Sequence, residues 1–273
     1  MQQLAEGLLP QLKALMQPGD EVLWPASQEP LKALEGRCWC PTPWALAQVK
    51  KAGLEVPPAP PMEVLRQVNH RRFAQQLGQA LPLARCVERL DELESLIADG
   101  AALAEVSTEQ NWLLKLPLGY AGRGRRKVAP GSLSQVDRTW VEAALRSGDG
   151  LQLEPLVHRE LDCSLHGELS QSGMLKLGEP TVTHIDASGR WLASTRAPPG
   201  LLSPLELASL RTTAELTAQG LKRAGYFGPF GIDAFRWVAP AGSVHFQPRC
   251  EINARYSMGW AIGMGANSAE SPT

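Results

Sequence analysis

The segment Glu251-Ile252-Asn253-Ala254-Arg255 has the residue types best suited to chemistry. On a strand, residues two apart point to the same face, so Glu251, Asn253 and Arg255 would share one face. Carboxylate and amide oxygens suit Mg²⁺, and a guanidinium suits phosphate or carboxylate. The pattern predicts a face that holds a metal ion together with a polyphosphate. An ordinary solvated face of a strand is the alternative that the pentapeptide alone leaves open.

A second carboxylate, Asp233, lies within the segment Gly231–Phe235, on the strand predicted just before the one that carries Glu251. Two adjacent strands that each present a carboxylate form a plausible site for a divalent cation, because Mg²⁺ commonly takes one or two carboxylates besides phosphate oxygens. The alternative is an exposed aspartate near the start of a strand.

Lys115 ends a predicted apolar strand over residues 111–116, and a glycine-rich basic loop over residues 117–127 follows it. Small residues such as Gly122 and Gly124 let backbone N–H groups approach phosphate oxygens, which the cations of the loop would neutralise. The loop has no Gly-Lys-Ser/Thr of the Walker pattern, and it is not the dinucleotide fingerprint. A flexible basic hairpin and a surface lysine are the alternatives.

An extended segment over residues 151–157 leads almost directly into the next predicted strand at Glu160. Backbone groups of an extended linker can read a purine, and a carboxylate can bind the ribose diol. Glu154, Val157 and Glu160 are therefore candidates for these contacts. Two polar residues at a turn are the alternative.

The positioning elements follow from hydrophobic periodicity and turn signals. Residues 1–55 predict a small α/β unit, with helices at 4–16 and from Thr42-Pro43 to about 53 and strands at 21–24 and 37–40. A proline-rich linker at 56–61 closes it. Beyond it the patterns predict helices at about 63–77, 90–98, 134–146 and 203–224, and strands at 84–87, 111–116, 151–157, 160–169, 175–177, 182–185, 191–194, 230–237 and 244–253. The tail after Gly265 reads as disordered.

The composition is that of a globular protein, with 273 residues, 44% apolar and 20% charged. The net charge of −1 predicts no general attraction to nucleic acid or to an anionic membrane. No apolar run approaches the ~20 residues that span a bilayer, and the N-terminus has no signal-peptide pattern, so a cytoplasmic location is expected. The five scattered cysteines predict free, mostly buried thiols and no zinc site.

In their order along the chain, these elements resemble the ATP-grasp superfamily over roughly residues 62–260. The segment Asn69–Phe73 resembles the opening helix of that family. Lys115 is similar to its phosphate-binding lysine, and residues 119–127, with Gly122 and Gly124, resemble the mobile loop that covers the triphosphate.

The later segments extend the resemblance. The segment Glu154–Val157 is similar to the interdomain linker that meets adenine, and Glu160 to the acid that binds ribose. The turn before Glu160 is tight, so the ribose role could instead fall on Asp162. The family's metal positions are matched by Asp233, Glu251 and Asn253, and Arg255 matches an arginine that meets phosphate or a carboxyl substrate.

The resemblance implies an α/β (α+β) architecture in which two α+β subdomains clasp ATP. Residues 61–157 would form the small, lid-bearing subdomain with the opening helix, and residues 158–265 the large subdomain with the metal site. A short Rossmann-like unit at residues 1–60 would precede them, and residues 266–273 would form the tail. Many relatives bind the acceptor substrate with this first unit, so its small size leaves the substrate class open.

The implied activity is an ATP-dependent ligase that uses Mg²⁺ (or Mn²⁺). A small carboxylate or peptide substrate would attack the γ-phosphate to give an acyl phosphate, which an amine or thiol would then displace. Lys115 and Arg71 would neutralise charge, although Arg71 stands where many members carry a lysine. Arg255 would orient the carboxylate, together with Arg196 unless that residue is simply a surface arginine. A homo-oligomer is possible.

Two other classes of function stay open. The chain could be a nucleotide-binding module without ligase turnover, acting as a sensor or partner subunit. It could also bind nucleic acid through the basic run at residues 123–127, although that run is short and the net charge is near zero.

Overall fold

A computed structural model describes residues 36–119, 124–185 and 191–265 of the protein. The helices are α1 Pro43–Lys51, α2 Met62–Asn69, α3 Arg71–Gln76, α4 Leu90–Ile97, α5 Gly100–Val106, α6 Gln135–Leu145, α7 Pro204–Arg223 and α8 Trp260–Gly263. The strands are β1 Arg85–Val87, β2 Trp112–Lys115, β3 Arg125–Val128, β4 Leu151–Pro155, β5 His158–Leu169, β6 Leu175–Leu177, β7 Thr181–Ile185, β8 Trp191–Arg196, β9 Gly228–Val238 and β10 Val244–Asn253.

A four-stranded antiparallel sheet has the strand order β1-β4-β2-β3. Alternation along the strands gives it two different faces. Leu114 and Leu153 are paired across β2 and β4 and are fully buried in a cluster with Leu93 of α4 and Val141 of α6. The residues that alternate with these leucines along each strand, such as Lys115 next to Leu114, point to the opposite face. One face of this sheet therefore forms a core, and the other carries polar side chains.

The second sheet has the order β10-β9-β5-β7-β8, with β6 paired to β5. The long helix α7 covers one face, where Leu210 and Leu221 share a buried cluster with Leu165 of β5, Ile232 of β9 and Ile252 of β10. This packing fixes the register, because a slip by one residue would turn every apolar side chain to the other face. Glu251 and Asp233 lie on the opposite face from α7.

The start of α7 is held by a capping box. The Ser203 hydroxyl accepts a hydrogen bond from the Glu206 N–H, and the Glu206 carboxylate accepts one from the Ser203 N–H. Ser203→Ala should therefore lower the free energy of unfolding by about 1 kcal/mol, measured by chemical denaturation. As a control, Ser209→Ala makes the same change inside the helix and should not destabilise, because alanine has the higher helix propensity. Equal effects of the two variants would contradict this assignment.

The structure corrects several boundaries. The strand expected at residues 37–40 is not formed, and there the Trp39 carbonyl accepts a hydrogen bond from the Tyr256 N–H instead of a strand ladder. The helix expected at 63–77 is broken at His70, whose backbone is extended and whose ring Nδ1 accepts from the Arg72 N–H to cap α3. Helices α5 and α8 and strand β3 were not expected.

Other sequence expectations have mixed outcomes. The elements expected before residue 36 and the tail after Gly265 lie outside the described residues. All five cysteines are free, but Cys163 alone among them is buried and the other four are partly exposed. No helix in the described ranges combines the length and apolar character needed to cross a bilayer.

Candidate active site

The face of the larger sheet opposite α7 carries a carboxylate pair. Glu251 of β10 and Asp233 of β9 are direct partners across the two strands. The Asp233 carboxylate accepts hydrogen bonds from the Ser164 hydroxyl of β5 (2.8 Å) and the Asn253 amide (2.9 Å). The structure thus brings together the three residues predicted to bind metal. The sequence did not indicate Ser164 as a site residue, although Ser164 lies two positions after Asp162 and therefore shares a face of the strand with Asp162.

The charges around this pair differ for its two members. Burial, together with the negative charge of Glu251, raises the pKa of Asp233 to about 6. Burial opposes ionisation of Glu251 as well, but the positive charges of Arg71, Lys115 and Arg255 outweigh it and lower the pKa of Glu251. Two partly buried carboxylates side by side are stabilised by a cation between them.

The donor set suits a hard divalent cation. Within the described ranges, no three His, Cys, Asp or Glu side chains converge on a metal centre, so the candidate set is two carboxylates and one amide. This composition is typical of Mg²⁺ sites, which use few protein ligands and complete their shell with water and phosphate oxygens. The Asn253 amide oxygen accepts a hydrogen bond from Arg255. Arg255 would have to release this oxygen before the oxygen could bind a cation.

Arg71, the first residue of α3, links this face to the start of the predicted phosphate loop. Its guanidinium donates to a Glu251 carboxylate oxygen (3.1 Å) and to the Leu116 carbonyl (3.0 Å). Gly119 packs directly on it, since a Cβ there would lie 2.5 Å from an Arg71 nitrogen. A residue larger than glycine would push the guanidinium away from Glu251.

A second ion pair lies on the polar face of the smaller sheet. Lys115 of β2 pairs with Glu154 of β4, and the two residues are only 4% and 3% exposed. Burial lowers the pKa of Lys115 despite the opposing effect of Glu154. A charged pair withdrawn from water to this extent carries a large desolvation cost, which the fold tolerates only with good pairing. An incoming phosphate or base would offer Lys115 or Glu154 an alternative partner.

Arg159 lies beside the candidate site, although the sequence did not indicate it. Its guanidinium lies 3.8 Å above the centre of the Phe235 ring, 4.0 Å from Glu154, and donates to Asp162 (3.0 Å). The Phe235 ring stabilises the guanidinium through this cation–π contact. No local sequence signal identified this residue, because two of its three partners, Glu154 and Phe235, lie on other strands, β4 and β9.

The remaining predicted residues lie further from the carboxylates. Val157 is buried in a cluster with Phe235 and Trp237, so its side chain is a core residue and its backbone alone is left for ligand contact. Glu160 is exposed at the β-bulge between Arg159 and Leu161. Because Asp162 is engaged by Arg159, neither acid is distinguished as the ribose ligand, and both assignments stay predictions.

The glycines of the loop and Arg196 complete the set. Gly124 adopts a positive φ of 70° immediately before β3, and its Cα faces the Leu116 side chain; Gly122 lies outside the described residues. Arg196 is exposed at the end of edge strand β8. Arg196 is paired with Thr181 of β7. Thr181 is paired with Ser164 of β5, and Ser164 is paired with Asp233 of β9. Three strand spacings, roughly 14 Å, separate its backbone from that of Asp233.

A pH dependence follows from the carboxylate pair. The pKa of Asp233 rises from an ordinary 3.8 to about 6 on folding, so the folded state binds this proton more tightly than the unfolded chain does. Without divalent cation, the free energy of unfolding contributed by this group should be greatest below pH ~4 and fall as the pH rises through ~6. Stabilisation by Mg²⁺ should show the opposite trend, because the cation needs the ionised carboxylate.

Thermal unfolding with and without Mg²⁺ between pH 5 and 8 tests this expectation. The increase in unfolding temperature produced by Mg²⁺ should grow through pH ~6 and should be lost in Asp233→Asn. Equal Mg²⁺ stabilisation of the wild type and Asp233→Asn would show that Asp233 is not a ligand.

Comparisons with known proteins were made at the levels of sequence and structure. No protein-family model matches the sequence, and no curated protein matches it significantly. Solved structures do match. Biotin carboxylase from Campylobacter jejuni, in a complex with β,γ-ATP, has a TM-score of 0.54 at 15% identity, over 84% of this chain and 49% of that one.

Two further structures give the same result. The biotin carboxylase domain of 2-oxoglutarate carboxylase from Hydrogenobacter thermophilus, solved with MgADP, ADP and bicarbonate, has a TM-score of 0.54 at 16% identity, over 84% of this chain and 52% of that one. N5-carboxyaminoimidazole synthetase from Staphylococcus aureus, in complex with ADP, has a TM-score of 0.51 at 12% identity, over 78% and 51%. The chain thus spans about half the length of these proteins. At such identities the likeness concerns the architecture, and the chain has the ATP-grasp fold.

Proposed function

We propose that this protein is an ATP-dependent ligase that activates a substrate carboxylate as an acyl phosphate and couples it to an amine or thiol. The observation that carries the proposal is the convergence of the carboxylate pair, Asp233 and Glu251, with cations from both sheets and from α3. Arg71 contacts Glu251, and Arg255 contacts Asn253. Lys115 lowers the pKa of Glu251 from the neighbouring sheet.

This arrangement suits a polyphosphate bound between the sheets. The two carboxylates would hold Mg²⁺, which would supply charge neutralisation and orientation to the phosphate oxygens. Lys115 and Arg71 would neutralise the remaining phosphate charge from the opposite side. Glu154 and the backbone up to Val157 would contact the base, as the resemblance of this segment to the interdomain linker of the ATP-grasp superfamily implies. In the proposed division, residues 61–157 line one side of the site and residues 158–265 line the opposite side.

The reaction would need little covalent chemistry from the protein. A substrate carboxylate oxygen, oriented by Arg255 and from further away by Arg196, would attack the γ-phosphorus, and the bond to ADP would break. An amine or thiol would then attack the acyl carbon and release phosphate. Arg71, which packs on Gly119, would neutralise phosphate charge at the start of the covering loop. Exclusion of water there would protect the acyl phosphate from hydrolysis.

The first experiment measures ADP release by purified protein with Mg-ATP and pools of amino acids or small carboxylic acids. ADP formation that requires both the carboxylate and the nucleophile supports the proposal. Thermal stabilisation by nucleotide, without turnover on any acceptor, would favour a binding module instead. A salt-dependent shift of nucleic acid in gels, without nucleotide binding, would favour the nucleic-acid alternative.

A further inference from the structure

The break between α2 and α3 connects both sheets to the candidate site through three consecutive residues. The Asn69 side chain donates to the Ala254 carbonyl (3.3 Å) and accepts from the Ala254 N–H (3.0 Å), at the end of β10. The His70 ring bonds to the Asp149 carbonyl (3.1 Å), in the turn before β4. Arg71 donates to the carboxylate pair and to the carbonyl that follows β2. His70 is thus the middle residue of a link between the two sheets and the charged groups of the site.

The two partners of His70 fix the protonation state of its ring. Nδ1 lies 3.1 Å from the backbone nitrogen of Arg72, which can only donate, so Nδ1 is the bare acceptor. The Asp149 carbonyl oxygen can only accept, so Nε2 carries the proton. The neutral Nε2–H tautomer makes both bonds at once. Burial, together with the guanidiniums of Arg72 on α3 and Arg66 on α2, lowers the pKa of His70 against the opposing effect of Asp149, so the ring is mostly neutral at pH 7.

His70 can control Arg71 because the two residues are adjacent at the start of α3. This helix has six residues, and so short a helix is not stable by itself. Its first turn therefore depends on the bond that His70 accepts from the Arg72 N–H. The other partner of the ring is held as well, since the Arg66 guanidinium donates to both carboxylate oxygens of Asp149 (2.8 and 2.7 Å). The position of Arg71 thus follows from that of the His70 ring.

We propose that neutral His70 is a positioning residue that holds Arg71 against Glu251, and that protonation of His70 releases Arg71 and weakens nucleotide binding. This inference rests on the proposed function, in which Arg71 neutralises phosphate charge. A proton on Nδ1 would oppose the Arg72 N–H and abolish the cap of α3. The first turn would fray, and Arg71 would leave its place 3.1 Å from Glu251.

The direction of the pH effect follows from the pKa of His70, which is lowered from an ordinary 6.5 on folding. The folded state therefore binds this proton more weakly than the unfolded chain does. The stability and the nucleotide affinity that depend on neutral His70 should be complete above pH ~7 and decline as the pH falls below ~6.5.

A double-mutant cycle tests whether His70 acts through Arg71. Isothermal titration calorimetry with Mg-ATP at pH 8 gives the dissociation constants of the wild type, His70→Ala, Arg71→Met and the double variant. His70→Ala should weaken binding by about tenfold, the order of magnitude expected for a lost helix cap. In the Arg71→Met background the same change should weaken binding by less than about twofold, because the two residues act as a unit. A full tenfold loss in both backgrounds would overturn the inference.

His70→Asn tests the role of the neutral ring, because asparagine is a strong helix cap that does not titrate. It should restore most of the affinity that His70→Ala loses at pH 8. Between pH 8 and pH 5.5, the ratio of the wild-type dissociation constant to that of His70→Asn should rise severalfold. Asp233 titrates in both proteins, so its effect cancels in this ratio. A constant ratio would overturn the inference, and this comparison still decides if His70→Ala fails to fold.

His184→Ala is the matched control, since His184 is an exposed histidine of β7 whose ring bonds to the Thr195 hydroxyl (3.0 Å). It should bind Mg-ATP as the wild type does at every pH. A wild type that binds Mg-ATP, with independent effects in the cycle, overturns this inference alone. A wild type that binds no Mg-ATP refutes the proposed function with it.

Discussion

Glu251→Gln is expected to lower the rate of ADP formation by about a hundredfold to a thousandfold (~2.7–4 kcal/mol). The substitution keeps the size of the side chain but removes the charge that Arg71 contacts at 3.1 Å and that would hold the cation beside Asp233. The loss should lie mainly in the rate at saturating Mg-ATP. Initial rates measured across ATP and Mg²⁺ concentrations would show this.

The control for this variant is Glu168→Gln, an exposed glutamate at the far end of β5. It makes the same chemical change in the same sheet and should retain full activity. Thermal unfolding should confirm that Glu251→Gln is folded, because Arg71 keeps its bond to the Leu116 carbonyl. A Glu251→Gln enzyme with wild-type turnover would remove Glu251 from the metal site.

Lys115→Met is expected to destabilise the protein by about 3–5 kcal/mol and to abolish nucleotide binding. The stability loss arises because Glu154, 3% exposed, would be left charged and buried, with Arg159 at 4.0 Å as its nearest remaining cation. Chemical denaturation measures the first effect, and calorimetric titration with Mg-ATP measures the second.

The double variant Lys115→Met/Glu154→Gln separates the two effects. It removes both charges, so it should recover most of the lost stability, since replacing a buried ion pair by neutral groups is often close to neutral. Nucleotide binding should stay lost if Lys115 contacts phosphate. Recovery of binding together with stability would show that the pair is structural only.

The carboxylate pair is the part of the site that the sequence predicts best. Alternating residues and a short connection at Pro240-Ala241-Gly242 indicated adjacent strands, and β9 and β10 pair with Glu251 opposite Asp233. The prediction succeeds because the periodicity of a strand and the connection of a hairpin are both set by residues that are close together in sequence. The capping box at Ser203 was predictable for the same reason.

The contacts between distant segments were not predictable. Arg249 lies where the pairing of β10 with β9 shifts between Gln247 and Glu251, and no pattern in the sequence marks that irregularity. Arg249 lines a small cavity together with residues of α3 and β4, among them Gln75 and Gln152. The placement of the Arg159 side chain likewise depends on Phe235, which is far away in sequence. Such contacts depend on tertiary packing, which local periodicity does not encode.

The most direct test of the central claim follows oxygen from substrate to product. Wild-type protein is incubated with Mg-ATP, a nucleophile pool and carboxylic acids labelled with ¹⁸O, and the released phosphate is analysed by mass spectrometry. Attack of a carboxylate on the γ-phosphorus predicts ADP together with phosphate that carries one ¹⁸O from the acid. Phosphate without label, or the release of AMP and pyrophosphate, would contradict the acyl phosphate route and the ligase function proposed for this site.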